Sequence, residues 1–173
     1  MRIIDNCAQL GYKPAQVNQS PEFTAQFLSD PNMNGIVLVA PTSNFSDQSI
    51  PGVKNYTSAL SKYAPDILHS PQFSYINFTA WVGAQLFVAA AKAANLGPAS
   101  TPADVKKGLY ALKNETLGGL VPPLNFTPGK ASVTPCYFVQ KVDGGKLLTV
   151  GSGQPTCLSA AQQSALTAAG GKA

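Results

Sequence analysis

The chain has 173 residues, a formal net charge of +4, 45% hydrophobic residues and 12% charged ones. This apolar fraction is that of a globular protein, which excludes general disorder as well as collagen-like and coiled-coil chains. The basic residues are scattered, with no cluster denser than Lys106-Lys107, so we do not expect a nucleic-acid partner.

The start of the chain, Met1–Cys7, lacks the pattern of a secretory signal, in which a basic start is followed by an apolar stretch. The most apolar stretch, residues 80–94, is interrupted by Gln85 and Lys92 and is too short to span a bilayer. We therefore expect a soluble chain as written, to which a preceding segment could add an export signal.

Residue periodicity predicts helices and strands in alternation. Ser20-Pro21-Glu22 is typical of a helix start, with serine as the N-cap and proline in the first turn. Residues 35–41 are apolar without alternation, which indicates a parallel strand covered on both faces. The other predicted elements are a helix over 1–10, a strand over 14–18, helices over 51–63, 74–96 and 101–113, and a hairpin formed by 136–142 and 146–150.

The helix over 74–96 is the longest predicted element, and we expect it to be buried. Its small residues, including Gly83, predict close packing against a sheet or another helix. The apolar residues that recur at steps of three and four are Phe78, Trp81, Val82, Leu86, Ala89 and Ala93.

The predicted elements do not form a complete sheet. A buried parallel strand over 35–41 requires parallel neighbours on both sides, and the remaining sequence does not supply them. Long helices without a sheet would also leave apolar faces open. We therefore expect an α/β fold in which this chain is the last third of a larger protein, and we interpret its length as a truncation.

Two of the three cysteines, Cys136 and Cys157, flank the predicted hairpin. If Asp143 faces Lys146, the ladder places Cys136 opposite Gly153, and Pro155 could turn the chain back so that the two thiols meet. A disulfide there would stabilise the fold by about 3 kcal/mol in the chain-entropy model. The alternative is two free thiols in a cytosolic protein; Cys7 is left without an assigned partner.

Catalytic and metal-binding patterns are absent from the sequence. The single histidine, His69, lies beside Ser70-Pro71 in a predicted loop, and the cysteines lack the spacing of a zinc site. Six N-x-[ST] sequons, among them Asn44-Phe45-Ser46, fit a polar exported bacterial protein better than a glycoprotein. With no cofactor or metal indicated, a pocket that binds a small molecule is the favoured kind of site.

The order of the motifs resembles a known family. The motifs are "CAQLGYKPAQV", "NGIVLVAPTSNF", "YTSALSKYAPD", "FTAWVGAQLFVAAAKAANL", "TPADVKKGLYALKNETLGGLVPPLNFTPGK" and "CYFVQKVDGGKLL". Together, over residues 1–150, they resemble the carboxyl-terminal part of type I periplasmic substrate-binding proteins of the branched-chain amino acid type, which serve ABC transporters. The resemblance implies two Rossmann-like lobes, incomplete here because the amino-terminal part is absent, joined by crossovers and closing on ligand about a hinge.

The resemblance also implies a division of the chain. Crossovers would lie at 39–43 and 121–124, and the hinge residues would be Ala40, Pro41, Thr42, Pro122 and Pro123. The remaining segments would be 1–38 in the second lobe, 44–120 in the first lobe, 125–157 returning to the second lobe with the hairpin, and 158–173 as a tail.

A ligand contact of that family follows the strand that matches Ala15–Asn18, and is often acidic. The matching residues here are Asn18, Gln19 and Ser20, with no carboxylate. Ligands of open α/β sheets bind beyond the carboxyl ends of strands, which indicates the same loop. A plain branched-chain amino acid is therefore not specifically indicated, and amides, other amino acids and aromatic acids stay open.

The function implied by the resemblance is that of the solute-binding component of an ABC uptake system. Its partners would be an amino acid, amide or small carboxylic acid and a membrane permease, and its location would be periplasmic or on the cell surface as a lipoprotein. One alternative is a ligand-sensing receptor domain of the same fold, and a further one is an amidase-like enzyme, which lacks a nucleophile–base pair in this sequence.

Overall fold

The computed structural model describes residues 2–19, 24–132 and 134–168. It is a mixed α/β structure, as the sequence predicts. The helices are α1 (Arg2–Gln9), α2 (Ala25–Leu28), α3 (Pro51–Tyr63), α4 (Pro65–Leu68), α5 (Tyr75–Ala93), α6 (Pro102–Ala111) and α7 (Ala160–Ala168). The strands are β1 (Val17–Gln19), β2 (Val37–Ala40), β3 (Cys136–Asp143), β4 (Lys146–Thr149) and β5 (Thr156–Cys157).

The sheet has the strand order β1-β2-β3-β4, with β5 paired to β3. Strand β1 runs parallel to β2, and β3 runs antiparallel to β2, with Leu38 opposite Gln140. The prediction that β2 needs parallel neighbours on both sides is therefore wrong. The hairpin strand occupies the second side, because an antiparallel strand completes the hydrogen bonds of a parallel strand equally well in mixed sheets.

Burial differs sharply between the two parallel strands. In β2 the side chains of Leu38 and Ala40 are 0% and 1% exposed, consistent with the unbroken apolar pattern. In β1 every residue is exposed, and Val17 retains 68% of its accessible surface. Strand β2 thus lies inside the fold of this chain, whereas β1 borders the described sheet.

The hairpin of β3 and β4 has the predicted register, with Asp143 opposite Lys146 and positive φ angles at Gly144 and Gly145. Continuing this register would place Gly153 opposite Cys136. Instead the chain leaves the ladder after Thr149 and returns as β5, which places Cys157 opposite Cys136. The two cysteines form a disulfide that spans 21 residues, as predicted.

The three long predicted helices are present as α3, α5 and α6. Helix α6 begins with a capping box, in which the Asp104 carboxylate accepts hydrogen bonds from the backbone and hydroxyl groups of Thr101. The backbone bond, followed by the hydroxyl and then Lys107, lowers the Asp104 pKa to about 2. The predicted helix start at Ser20-Pro21-Glu22 lies outside the described residues, and the short helix α2 follows it.

Helix α5 is buried on one face only. Phe78, Val82 and Ala90 point into the protein, whereas Ala93 and Gly83, expected to pack closely, are exposed. The close contact with α6 occurs elsewhere, because a Cβ atom on Gly108 would lie 2.1 Å from the Ala90 carbonyl oxygen. Like the other described helices, α5 falls short of the length and apolarity needed to cross a membrane.

Candidate functional site

The carboxyl ends of β1 and β2 lie at the same edge of the sheet, since the two strands are parallel and Gln19 is opposite Val39. The exposed residues Asn18 and Gln19 therefore pair with Leu38 and Val39, just before β2 ends at Ala40 and Pro41 follows it. The structure thus brings two of the predicted ligand residues beside the first predicted hinge segment. Ser20 lies outside the described residues, and the roles of all three remain predictions.

The segment after β2 is polar and buried. Thr42, Ser43 and Asn44 are 4%, 0% and 2% exposed. The Ser43 backbone N–H donates to the Leu120 carbonyl at 2.9 Å, so the first predicted crossover, 39–43, lies against the residue that precedes the second, 121–124. Within them, Pro122 is buried and Pro123 is exposed. We call Thr42, Ser43, Asn44 and Gln140 the polar junction.

Asn44 connects this junction to the hairpin. Its side-chain nitrogen donates to the Leu147 carbonyl at 2.9 Å, and its side-chain oxygen accepts from the Ser46 N–H at 3.0 Å and hydroxyl at 2.8 Å. Gln140, fully buried on β3, donates from Nε2 to the Thr42 carbonyl at 3.3 Å. Among the described residues, Thr42 Oγ1, Ser43 Oγ and Gln140 Oε1 have no hydrogen-bond partner.

The sequence analysis did not predict the buried polar residues of the junction, although the position of Gln140 in its strand indicates one of them. Gln140 alternates with Phe138 and Val142 on the buried face of β3, so an amide occupies an apolar position of period two. Asn44 was interpreted only as part of a sequon. Its burial and its bond to Leu147 leave no room for a glycan in the folded protein.

Asp47 lies just beyond the junction. Burial opposes its ionisation, but hydrogen bonds from the Ser49 hydroxyl, the Thr149 hydroxyl and the Ser49 backbone outweigh that effect and lower the pKa of the carboxyl. The Ser49 hydroxyl lies 2.6 Å from Oδ1, and the Thr149 hydroxyl lies 2.5 Å from Oδ2. Asp47 is therefore ionised at neutral pH.

Next to the junction lies an aromatic cluster. Phe45 contacts Phe73 and Tyr75 edge to face, with ring centroids 5.1 Å apart in both pairs. The Tyr75 hydroxyl donates to the Ser43 carbonyl at 3.3 Å, which joins the cluster to the polar junction. We define the aromatic cluster as Phe45, Tyr56, Phe73, Tyr75, Phe78 and Trp81.

Two polar atoms of this cluster are buried without a hydrogen-bond partner among the described residues, Tyr56 OH and Trp81 Nε1. Burial raises the pKa of Tyr56. The rings of Tyr56 and Trp81 lie 5.7 Å apart. Their contribution to the fold therefore comes from packing rather than from hydrogen bonds.

A β-bridge joins Thr24, the first described residue after β1, to the residue that precedes α5. Thr24 pairs antiparallel with Ser74, which lies between two members of the aromatic cluster, Phe73 and Tyr75. Phe27 of α2 packs against the same core. The described chain that follows β1 thus meets the aromatic cluster at Thr24.

The chemistry available at this edge is that of binding. Asn18 and Gln19 expose their amide side chains here, whereas the polar junction and most rings of the aromatic cluster are buried in the fold. His69 is exposed after α4, and among residues 2–19, 24–132 and 134–168 no group of three or more His, Cys, Asp or Glu side chains could hold a metal ion. Exposed amides suit recognition of a polar small molecule by hydrogen bonding.

Several solved structures share this fold. A branched-chain amino acid ABC transporter protein from Thermus thermophilus with bound valine matches with a TM-score of 0.74 and 15% identity, covering 94% of this chain and 44% of that one. A fatty acid ABC transporter substrate-binding protein from Thermomonospora curvata matches with a TM-score of 0.69 and 19% identity, covering 91% of this chain and 40% of that one. An R. palustris solute-binding protein in complex with benzoate matches with a TM-score of 0.50 and 15% identity, covering 93% of this chain and 48% of that one.

The chain therefore spans less than half the length of these structures, and at such identities the likeness shows the fold alone. No curated protein matches the sequence. The sequence profile of the periplasmic binding proteins matches residues 1–146, which is most of the chain. In agreement with its motif order, the chain belongs to the periplasmic binding protein family.

Proposed function

We propose that this chain is part of the solute-binding component of an ABC uptake system, which traps an amino acid or similar small polar molecule between two lobes by hinge closure. The family match over residues 1–146 is the observation that carries the proposal. The placement of Asn18 and Gln19 beside the end of β2 supports it, because ligands of α/β sheets bind beyond the carboxyl ends of strands. Such a role requires a permease partner and an extracytoplasmic location.

The proposed solute contacts are Asn18, Gln19 and Ser20. The amide side chains of Asn18 and Gln19 would recognise a polar group through neutral hydrogen bonds rather than through an ion pair. This chemistry favours amides, other amino acids and aromatic acids as solutes. The role requires a cleft and no reactive side chain, in line with a binding protein rather than an amidase.

The experiment is a calorimetric titration of amino acids, their amides and small carboxylic acids. It uses the 173-residue chain and the same chain joined to the in-frame coding sequence upstream of Met1. We expect one solute class to bind the longer protein with micromolar affinity and the 173-residue chain at least tenfold more weakly, since the proposed cleft lies between two lobes and this chain spans less than half the length of the solved structures with its fold. Failure of every solute class to bind the longer protein would contradict the proposal.

Alanine variants of the proposed contact residues test where the solute binds. In the longer protein, Asn18→Ala and Gln19→Ala should each raise Kd at least tenfold, because each removes a hydrogen bond to a desolvated ligand. Asn55→Ala, at an exposed position of α3, is the matched control and should leave Kd unchanged. Equal Kd values for all three variants would place the solute elsewhere.

The proposed hinge comprises Ala40, Pro41, Thr42, Pro122 and Pro123. Prolines restrict φ, so replacing Pro122 and Pro123 with glycine should broaden the range of open conformations. Small-angle scattering of the longer protein with saturating solute should then show a smaller decrease in radius of gyration than for the parent. An identical decrease would remove these prolines from the hinge.

A further inference from the structure

A cavity of about 650 Å³ lies between α3, the second predicted crossover and the loop that follows β4. Its volume is within the range of small-molecule sites. Its polar side chains include Asp47, Ser49, Thr116 and Gln154, and its apolar lining includes Phe138 and Val121. Asn18 and Gln19 do not line it, so it is separate from the solute contacts proposed above.

The described lining of this cavity carries a net negative charge. Asp47 is the only charged side chain among the described lining residues. The described part of the chain also places no lysine, arginine or histidine within ion-pair distance of its carboxylate. A carboxylate can accept about four hydrogen bonds, and Asp47 accepts three, from the Ser49 backbone, the Ser49 hydroxyl and the Thr149 hydroxyl. One acceptor position therefore remains.

The cavity also has a source of positive potential, but it is weaker than the charge of the Asp47 carboxylate. Helix α3 begins at Pro51 on the cavity wall, and a helix N-terminus carries about half a positive charge. The Gly52 N–H at that terminus already donates to the Gly118 carbonyl at 2.9 Å. A full negative charge on Asp47 outweighs the partial positive charge, so the cavity favours a cation.

The walls limit the kind of cation. Phe138, Val121 and Ile50, each less than 9% exposed, contribute apolar side chains to the lining. A fully hydrated metal ion gains nothing from apolar surface, whereas an organic group does. An ammonium group has three donors, and the acceptors among the lining side chains include the Asp47 carboxylate and the oxygens of Thr116 and Gln154.

From these observations we propose that the cavity binds a small organic cation, a primary amine with a compact apolar group, with Asp47 as its counter-charge. This second site is independent of the solute-binding proposal, since this chain's own described residues line it. It can therefore be tested with the 173-residue chain, and its failure would leave the proposed uptake function untouched.

The test is a titration of the 173-residue chain with benzylamine, followed by NMR chemical shifts or calorimetry. Benzyl alcohol, which has nearly the same shape and no charge, is the ligand control. We expect benzylamine to bind at least tenfold more tightly than benzyl alcohol, and Asp47→Asn to abolish most of that difference. Equal affinities for the two compounds in the parent chain would overturn the proposal.

A second pair of variants guards against misfolding of Asp47→Asn. Gln154 is exposed at the rim, so its replacement should leave the fold intact. Gln154→Glu should lower the Kd of benzylamine severalfold, and Gln154→Lys should raise it by a similar factor, because charge at the rim adds to or opposes that of Asp47. Identical benzylamine affinities in these two variants would also overturn the proposal.

Discussion

The aromatic cluster and the polar junction lie against each other and are buried to a similar degree, but different forces hold them. The cluster is a set of rings in edge-to-face and tilted contacts, in which two polar atoms have no described partner. In the junction, Asn44 and Gln140 donate to carbonyl groups far away in the sequence, those of Leu147 and Thr42, while the hydroxyls of Thr42 and Ser43 have no described partner. The cluster therefore supplies stability through buried area, whereas the junction fixes which segments meet.

Helix α3 takes part in both regions. Gly52 lies against the segment 117–120 beside the junction, and Tyr56, one turn later, enters the aromatic cluster. Substitutions on this helix and at its contacts therefore separate the two kinds of stabilisation.

Removal of the Tyr56 ring should have the largest effect. Tyr56→Ala is expected to lower the free energy of unfolding by about 3–5 kcal/mol, because it deletes a 2% exposed ring and leaves a cavity. Tyr56→Phe is the control, and should change it by less than about 0.5 kcal/mol, since the hydroxyl has no described partner. Urea titration measures both variants. A Tyr56→Phe loss as large as that of Tyr56→Ala would show that the cluster depends on the hydroxyl.

Addition of a methyl group at Gly52 tests the close contact on the junction side of α3. A Cβ atom there would lie 2.5 Å from Leu120 Cγ and 2.7 Å from the Leu117 carbonyl oxygen. Gly52→Ala should therefore destabilise the fold by about 1–3 kcal/mol. Gly83→Ala is the matched control, because nothing lies within 4 Å of that position, and alanine in an exposed helix should stabilise by up to about 1 kcal/mol. Equal thermal shifts for the two variants would refute the close contact.

Loss of the Asn44 side chain tests the hydrogen bonds of the junction. Asn44→Ala should cost about 1–2 kcal/mol, because it leaves the Leu147 carbonyl and the Ser46 N–H without their partner. Asn44 also donates to the Thr149 hydroxyl at 3.4 Å, so a double-mutant cycle with Thr149→Val should give a non-zero coupling energy. Asn55→Ala on the exposed side of α3 should cost less than about 0.5 kcal/mol. Strict additivity in the cycle would show that Asn44 and the Thr149 hydroxyl do not interact.

Protonation of Asp47 in acid should lower the stability of the fold only slightly. The pKa of Asp47 is lowered on folding, so its stabilising effect is present above the ordinary value of 3.8 and is lost as pH falls below it. The loss should stay below about 1 kcal/mol, because solvent screens a partly exposed carboxylate. Comparing thermal unfolding of the parent and Asp47→Asn at pH 6 and pH 3 isolates this term. If stability falls more between pH 6 and pH 3 in Asp47→Asn than in the parent, ionised Asp47 does not stabilise the fold.

Local patterns predicted much of this fold. The helices over 51–63, 74–96 and 101–113, the hairpin register and the Cys136–Cys157 disulfide all depend on neighbouring residues or on one ladder, which spacing reveals. The antiparallel pairing of β2 with β3 was missed, because it joins segments about a hundred residues apart and no local pattern reports it. The buried face of α5 was also misjudged at Gly83 and Ala93, since small residues suit either a contact or solvent.

The candidate site was predicted less completely. Asn18, Gln19 and the proline segments came from the resemblance to the family, and the described sheet places Asn18 and Gln19 opposite Leu38 and Val39. Asp47 and Gln140 were not singled out, and Asn44 was interpreted only as part of a sequon, because polar residues in a sequence are usually exposed and only the tertiary structure buries them. Ser20 lies outside the described residues.

The contact between α3 and the segment 117–120 has a mechanical consequence. Two backbone hydrogen bonds, from the Ser43 N–H to the Leu120 carbonyl and from the Gly52 N–H to the Gly118 carbonyl, tie the segment after β2 and the start of α3 to the segment 117–120. The missing side chain of Gly52 lets these backbones touch, so no side-chain layer separates them. If the proposed closure of two lobes takes place, these three segments should therefore move as one rigid unit. We then expect the bending to occur at the proposed hinge residues on either side of this unit, Ala40-Pro41 and Pro122-Pro123.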